Sequence, residues 1–204
     1  MTTSSSASDR RLVLATGNRA KGRELAALLI GLPYRVEDLS AYPQIVLPPE
    51  GEVSYQENAL GKARAVTRAI GTLALADDSG IEVDALGGAP GVRSARFSGE
   101  QATDEDNNAK LIDSLDGVPY ERRSARYRCV AVLVTPDGEE IAGIGSCEGR
   151  IGFEPRGTGG FGYDPWFIPE RESRTMAELT AEEKHAISHR GKALRGLADK
   201  LRDL

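Results

Sequence analysis

Two adjacent carboxylates, Asp77 and Asp78, follow the apolar run Leu73-Ala-Leu-Ala76 and precede Ser79-Gly80. Carboxylates at the end of a buried strand are costly unless solvated, paired or bound to a cation. Their oxygens suit Mg²⁺, which takes one or two carboxylates together with phosphates and waters. Successive strand side chains point to opposite faces, so the two aspartates have different tasks, one holding metal or activating water and the other bracing a loop. The same four residues also make a good Asx turn or helix cap. A second group, Thr16-Gly-Asn-Arg-Ala-Lys21, lies between an apolar run and a helical pattern. Amides at a helix N-terminus attract anions, a glycine lets backbone approach closely, and Lys21 adds a point charge. The pattern differs from the GxxxxGK[ST] phosphate loop, and an ordinary glycine turn is the plainer reading. Its place after the first strand of an α/β sheet favours ligand binding.

Three further groups carry chemistry of the same kind. Asn58 and Lys62 are four residues apart and share a helix face, with Lys62 within reach of a phosphate or simply solvated. Glu50 and Glu52 lie just upstream, and either can supply a second metal ligand. Gly159-Gly-Phe-Gly-Tyr-Asp-Pro165 combines flexible backbone with two aromatics that either stack on a base or plug the core. Lys184-His-Ala-Ile-Ser-His-Arg190 holds both histidines of the chain at i,i+4, but with no HExxH or cysteine partner. Hydrogen bonding by His189 and Arg190 to a ligand carbonyl, with Lys184 on a phosphate, fits better than zinc. Arg122, Arg123, Arg126 and Arg128 form the only basic cluster, and the acidic helix start Asp104–Asp106 is its expected partner. No Gly-x-Ser-x-Gly elbow or Cys/His nucleophile pair stands out, so attack by a metal-assisted water is favoured over nucleophilic catalysis.

These groups need a scaffold, and the pattern supplies an α/β one. Arg11–Ala15 and Tyr34–Leu39 read as strands, and Leu73–Ala76 as a short buried strand stopping at the aspartates. Ile81–Leu86 reads as a weaker strand, while 126–135 and 140–151 form a hairpin about Pro136-Asp-Gly138. Helices are predicted over 19–30, from the Ser54-x-x-Glu57 capping box to Ile70, over 103–115, and over 188–201, with another capping box at Thr180–Glu183. The stretches 42–51, 87–99 and 153–163 read as loops. Interspersed helices and strands with one hairpin predict a mixed sheet flanked by helices.

The chain has 204 residues, a net charge of −5 and 40% hydrophobic residues, which suits a single domain over 11–204 with a normal core. An acidic balance argues against gripping a nucleic acid polymer but suits one nucleotide with a metal ion. No apolar run is long enough to span a bilayer. The two cysteines, Cys129 and Cys147, have no zinc-like spacing. The Ser/Thr-rich residues 1–10 lack an apolar core and read as a disordered tail on a cytoplasmic protein, not a secretory signal.

Taken in order, Thr16-Gly-Asn-x-x-Lys21, Glu57-Asn-Ala-x-x-Lys-Ala63, Asp77-Asp-Ser-Gly80, Pro90-Gly-Val-x-Ser-Ala-Arg96, Gly160-Phe-Gly-Tyr-Asp-Pro165 and Ser188-His-Arg190 resemble the inosine triphosphate pyrophosphatase family. Its bacterial members are the XTP/dITP diphosphatases. The resemblance runs from Leu12 to Leu201. It implies an elongated mixed sheet with two lobes and a nucleotide cleft between them, a homodimer, and Mg²⁺-dependent cleavage of dITP, ITP and XTP to monophosphate and pyrophosphate. It implies that Thr16, Gly17, Asn18, Arg19, Ala20 and Lys21 contact the triphosphate and that Lys62 and Lys184 hold phosphate. Asp78 becomes the proton acceptor or metal-bound carboxylate, with Glu50 or its rival Glu52 as second metal ligand. Ser79 touches substrate, Phe161, Gly162, Tyr163 and Asp164 line the base and sugar, and His189 with Arg190 reads the purine. Two other functions compete. One is a Maf-like pyrophosphatase acting on pyrimidine or modified nucleotides; the other is a non-enzymatic nucleotide- or RNA-binding module.

Overall fold

A computed structural model describes residues 10–204; the expected tail, apart from the exposed Arg10, lies outside the described residues. Six strands form one sheet in the order β2-β1-β3-β4-β5-β6, with β1 Arg11–Leu14, β2 Arg35–Asp38, β3 Leu73–Val83, β4 Ser124–Val134, β5 Glu140–Ile151 and β6 Phe167–Pro169. β1 runs parallel to β2 and β3, whereas β5 and β6 are antiparallel, so the sheet is mixed as expected. The chain divides into two compact units. The first takes residues to Asp78, Val130–Gly143 and Leu194–Leu204; the second takes Ser79–Cys129 and Ile144–Ala193.

In the first unit, helices α1 (Arg19–Leu28) and α2 (Tyr55–Ile70) accompany β1 to β3. Ser54 Oγ accepts the Glu57 amide at the α2 N-terminus, and Gly71 ends the helix in the left-handed region at φ 62°. The buried face of α2 is Asn58, Ala59, Lys62, Ala63, Val66 and Thr67. Its apolar members pack on Val13, Ala15, Ala74, Ala76, Val130, Val132 and Val134. That stripe has helical spacing, so Asn58 and Lys62 are carried inward by the packing of their alanine neighbours.

In the second unit, α3 (Asp104–Ser114) starts at a full capping box between Thr103 and Asp106. The core gathers Ile81, Val83, Leu111, Leu115, Tyr127, Ile151, Tyr163 and Phe167. The short helices α4 (Ala181–Ile187) and α5 (His189–Arg195) follow, and α6 (Ala198–Asp203) belongs to the first unit. Gly145 on β5 lies so close to the start of α5 that an added β-carbon would collide with the His189 carbonyl, the Ala193 amide and Lys192 Cβ. The absence of a side chain there lets α5 sit directly on the strand.

Several expectations give way. The strand predicted to stop at the aspartates continues through Asp77-Asp78-Ser79-Gly80 to Val83, absorbing the separate strand expected at 81–86. Sheet pairing overrides the turn tendency of Asp, Ser and Gly. The single helix expected over 188–201 is divided into α5 and α6 about Gly196 and Leu197, glycine being a weak helix former. The stretch 87–99 contains a 3₁₀ turn over Gly91–Arg96. The arginine cluster does not pair with the acidic helix start. Arg126 meets Asp84 and Glu148, Arg128 meets Glu82, and the buried Arg123 donates to the carbonyls of Leu115, Val118 and Gly152. Of those acidic residues, Asp106 caps the helix and Asp104 accepts the Gly162 amide.

Candidate active site

The first unit assembles a charged group around Asp78. β3 places Asp78 just beyond the part that pairs with β1, whose register ends at Leu14 opposite Leu75. Asp78 is buried, at 2% exposure. Its Oδ2 accepts a hydrogen bond from Asn58 Nδ2 at 2.9 Å, and its Oδ1 lies 3.8 Å from Lys21 Nζ. Asn58 also clamps residue 51: its Oδ1 accepts the Gly51 amide at 2.8 Å and its Nδ2 donates to the Gly51 carbonyl at 3.2 Å. One turn along α2, the buried Lys62 pairs with Glu50 at 2.7 Å. The i,i+4 pair on α2 thus holds both ends of this arrangement, Asp78 on the strand and residues 50–51 of the preceding loop. Glu52 is exposed.

Electrostatics follows from burial and neighbours. Burial pushes the Asp78 carboxyl above the usual carboxylate range, against the pull of Lys21, Lys62 and the Asn58 hydrogen bond. Burial alone would lower Lys62, but Asp77, Glu50 and Asp78 around it raise it overall. Two ammonium groups therefore face three carboxylates, leaving one negative charge in excess. Among the described residues no three His, Cys, Asp or Glu side chains form a metal cluster by themselves. An all-oxygen, net-negative donor set fits a hard divalent cation that completes its shell with phosphate and water.

The Thr16–Lys21 segment is shaped by its own cap. Thr16 Oγ1 accepts the Asn18 amide at 3.2 Å, and Asn18 Oδ1 accepts the amides of Ala20 and Lys21 at 2.9 and 3.1 Å. Thr16, Gly17, Asn18 and Arg19 line a cavity of about 510 Å³ together with Arg23 and Asp38. Lys21 reaches Asp78 from the same turn.

The second unit assembles a group around Asp164 and Phe161. Asp164 Oδ2 accepts from Lys184 Nζ at 2.5 Å and from the Phe161 amide at 3.0 Å, while Oδ1 accepts from Tyr127 Oη at 3.1 Å. Gly160, at φ 73°, leaves room for this carboxylate, because a β-carbon there would collide with Asp164 Oδ2. Lys184 and the Arg190 guanidinium lie 5.1 and 5.7 Å from the centre of the Phe161 ring, within cation–π range. Arg190 is 1% exposed and donates to Ser79 Oγ at 3.0 Å. His189 stacks on Tyr127. Gly162 is clamped at both backbone ends by α3, its amide donating to Asp104 at 2.6 Å and its carbonyl accepting from Asn108 at 2.9 Å. Tyr163 turns into the hydrophobic core and donates to the Ser94 carbonyl at 2.8 Å.

Sequence patterns therefore fall into two groups: Lys21, Glu50, Lys62 and Asp78 in the first unit, and Ser79, Phe161, Asp164, Lys184, His189 and Arg190 in the second. Reasoning from spacing missed the supporting residues. Asn58 was visible only as a helix-face neighbour of Lys62, and Tyr127 as one of several β-type residues on β4.

The family model described as the Ham1 family matches residues 12–200. A "dITP/XTP pyrophosphatase" of Geobacter sulfurreducens is 51% identical over 191 residues, covering 94% of this chain and 96% of that protein. A protein of the same description from Shigella flexneri is 50% identical over 200 residues, covering 95% and 99%. Among solved structures, a HAM1 protein from Coxiella burnetii superposes with a TM-score of 0.85 at 38% identity, covering 96% of this chain and all of that one (100%). With a family model spanning nearly the whole length and relatives identical at half their positions, this chain belongs to the Ham1 family.

Proposed function

We propose that this chain hydrolyses non-standard purine nucleoside triphosphates (dITP, ITP and XTP) to the monophosphate and pyrophosphate, with Mg²⁺. The observation that carries the reading is Asp78: a buried carboxylate, held by Asn58, facing Lys21 and sharing its surroundings with Lys62 and Glu50. The Geobacter and Shigella relatives, both described as dITP/XTP pyrophosphatases, support the substrate class.

Asp78 and Glu50 would hold the metal, which supplies charge neutralisation for the triphosphate and its leaving group. Lys21, Lys62 and Lys184 each stand against a carboxylate and supply the positive charge for phosphate oxygens, with the Thr16–Lys21 turn contributing backbone and hydroxyl donors. Asp78 takes the proton of the attacking water. A bond forms from the water oxygen to the α-phosphorus, the α–β bridging bond breaks, and pyrophosphate leaves. Phe161 offers a face to the base, Asp164 and Gly162 border the sugar, and Tyr163 supports them from the core. His189 and Arg190 donate to the purine, and Ser79 orients Arg190. A C6 carbonyl accepts those donors; the amino group of adenine leaves them unpaired, at about 1–3 kcal/mol per group. The resemblance further supports a cytoplasmic homodimer.

The test is pyrophosphate release across a triphosphate panel with and without Mg²⁺. dITP, ITP and XTP should give pyrophosphate as the first product, and only with the metal. Orthophosphate as first product overturns the reading, and a preference for UTP or dTTP replaces it with the Maf-like alternative.

A further inference from the structure

Tyr127, on β4, touches two of the groups just assigned to the nucleoside, and no motif points to it. Its ring lies flat on the His189 imidazole, centroids 4.6 Å apart and planes within 10°. Its hydroxyl donates to Asp164 Oδ1 at 3.1 Å. Phe167 stands edge-on behind it at 4.7 Å, and the residue is 7% exposed, so the ring has little freedom to turn. An imidazole stacked face to face cannot rotate about its own axis without losing that contact, so the plane of His189 is tied to the plane of Tyr127. On the other side, the Asp164 carboxylate is oriented by donors from three directions: Tyr127 on Oδ1, and Lys184 and the Phe161 amide on Oδ2. One side chain therefore fixes both a ring plane and a carboxylate plane. Recognition groups held this way cost less to order when ligand arrives.

We propose that Tyr127 is a positioning residue for nucleoside recognition, locking the His189 ring and the Asp164 carboxylate in one mutual geometry that sets substrate affinity and leaves the chemical step alone. The inference rests on the reading of the group around Asp164 and Phe161 as the one that recognises the nucleoside. The alternative is a tyrosine that only fills the core.

The experiment uses the full chain and two variants. Tyr127→Phe keeps the stack and removes the hydroxyl with no change of shape; Tyr127→Leu removes both. With only two histidines in the chain, their imidazole proton resonances separate the effects. His189 should sit upfield under the tyrosine ring, stay there in the Phe variant, and move downfield in the Leu variant, while His185 holds its place. With dITP, the Phe variant should raise KM about fivefold with kcat within about twofold, and the Leu variant should raise KM further. Unchanged KM in the Phe variant, or a fall in kcat at constant KM, overturns the proposal. Should the Leu variant fail to fold, the Phe variant alone decides. A wild-type chain that releases no pyrophosphate from dITP, ITP or XTP overturns the underlying reading, and is recognised before any variant is made.

Discussion

Burial, an amide donor from Asn58 and two nearby ammonium groups together mark Asp78. Keeping it ionised at neutral pH costs folding energy, because desolvation outweighs the attraction of Lys21 and Lys62. Asp78→Asn should therefore abolish turnover, lowering kcat by at least about 100-fold, while leaving the melting temperature equal to or above that of the wild type. Differential scanning fluorimetry beside the pyrophosphate assay checks both halves; near-normal turnover would remove Asp78 from the chemistry. Asp78 is conspicuous in the sequence as an acidic residue ending an apolar run, whereas Lys62, Asp164 and Lys184 stand out only through the order of the motifs that contain them. The roles of Asn58 and Tyr127 were not legible, because their partners lie 20 and 37 residues away and neither spacing has a local signature. Tyr163 illustrates the opposite limit: beside Phe161 in the same glycine-rich stretch, its pattern fits stacking and core filling equally, and it fills the core.

At the scale of elements, α2 carries the most functional weight, since its buried stripe turns Asn58 and Lys62 inward. Gly61 sits inside that helix, and a β-carbon there would meet only Pro48 Cγ at an ordinary 3.6 Å. Gly61→Ala should stabilise the fold by about 0.5–1 kcal/mol, raising Tm by about 1–4 °C in a thermal melt, with turnover retained. Helix starts were legible from their caps: Ser54, Thr103 and Thr180 each accept the expected backbone amide. Strand extent was less legible. Asp77-Asp78-Ser79-Gly80 carries every local mark of a turn, and only pairing with strands distant in sequence keeps it extended. The three-residue β6 is too short to leave a periodic pattern, and it exists through its antiparallel register with Gly149–Ile151.

Over the whole molecule, both cysteines are buried and reduced. Burial chiefly, with Glu148 and Asp164 adding to it against Lys192, pushes the Cys147 thiol up to about 11 from its ordinary 9.0. The native state keeps this proton while the unfolded chain has released it. This contribution to stability is full below pH 9 and falls as pH rises toward 11, by about 2–3 kcal/mol in all. Urea titrations at pH 8, 9 and 10 should show a steeper alkaline loss for wild type than for Cys147→Ala; parallel curves would contradict it. The net negative charge is also distributed unevenly by residue type, with six lysines among the 26 basic residues. Lys21, Lys62 and Lys184 are drawn inward against carboxylates, whereas Lys110, Lys192 and Lys200 stand on the surface. Amine-directed coupling to a support, or labelling with an acylating dye, therefore attaches through the outer three side chains and leaves the inner three untouched.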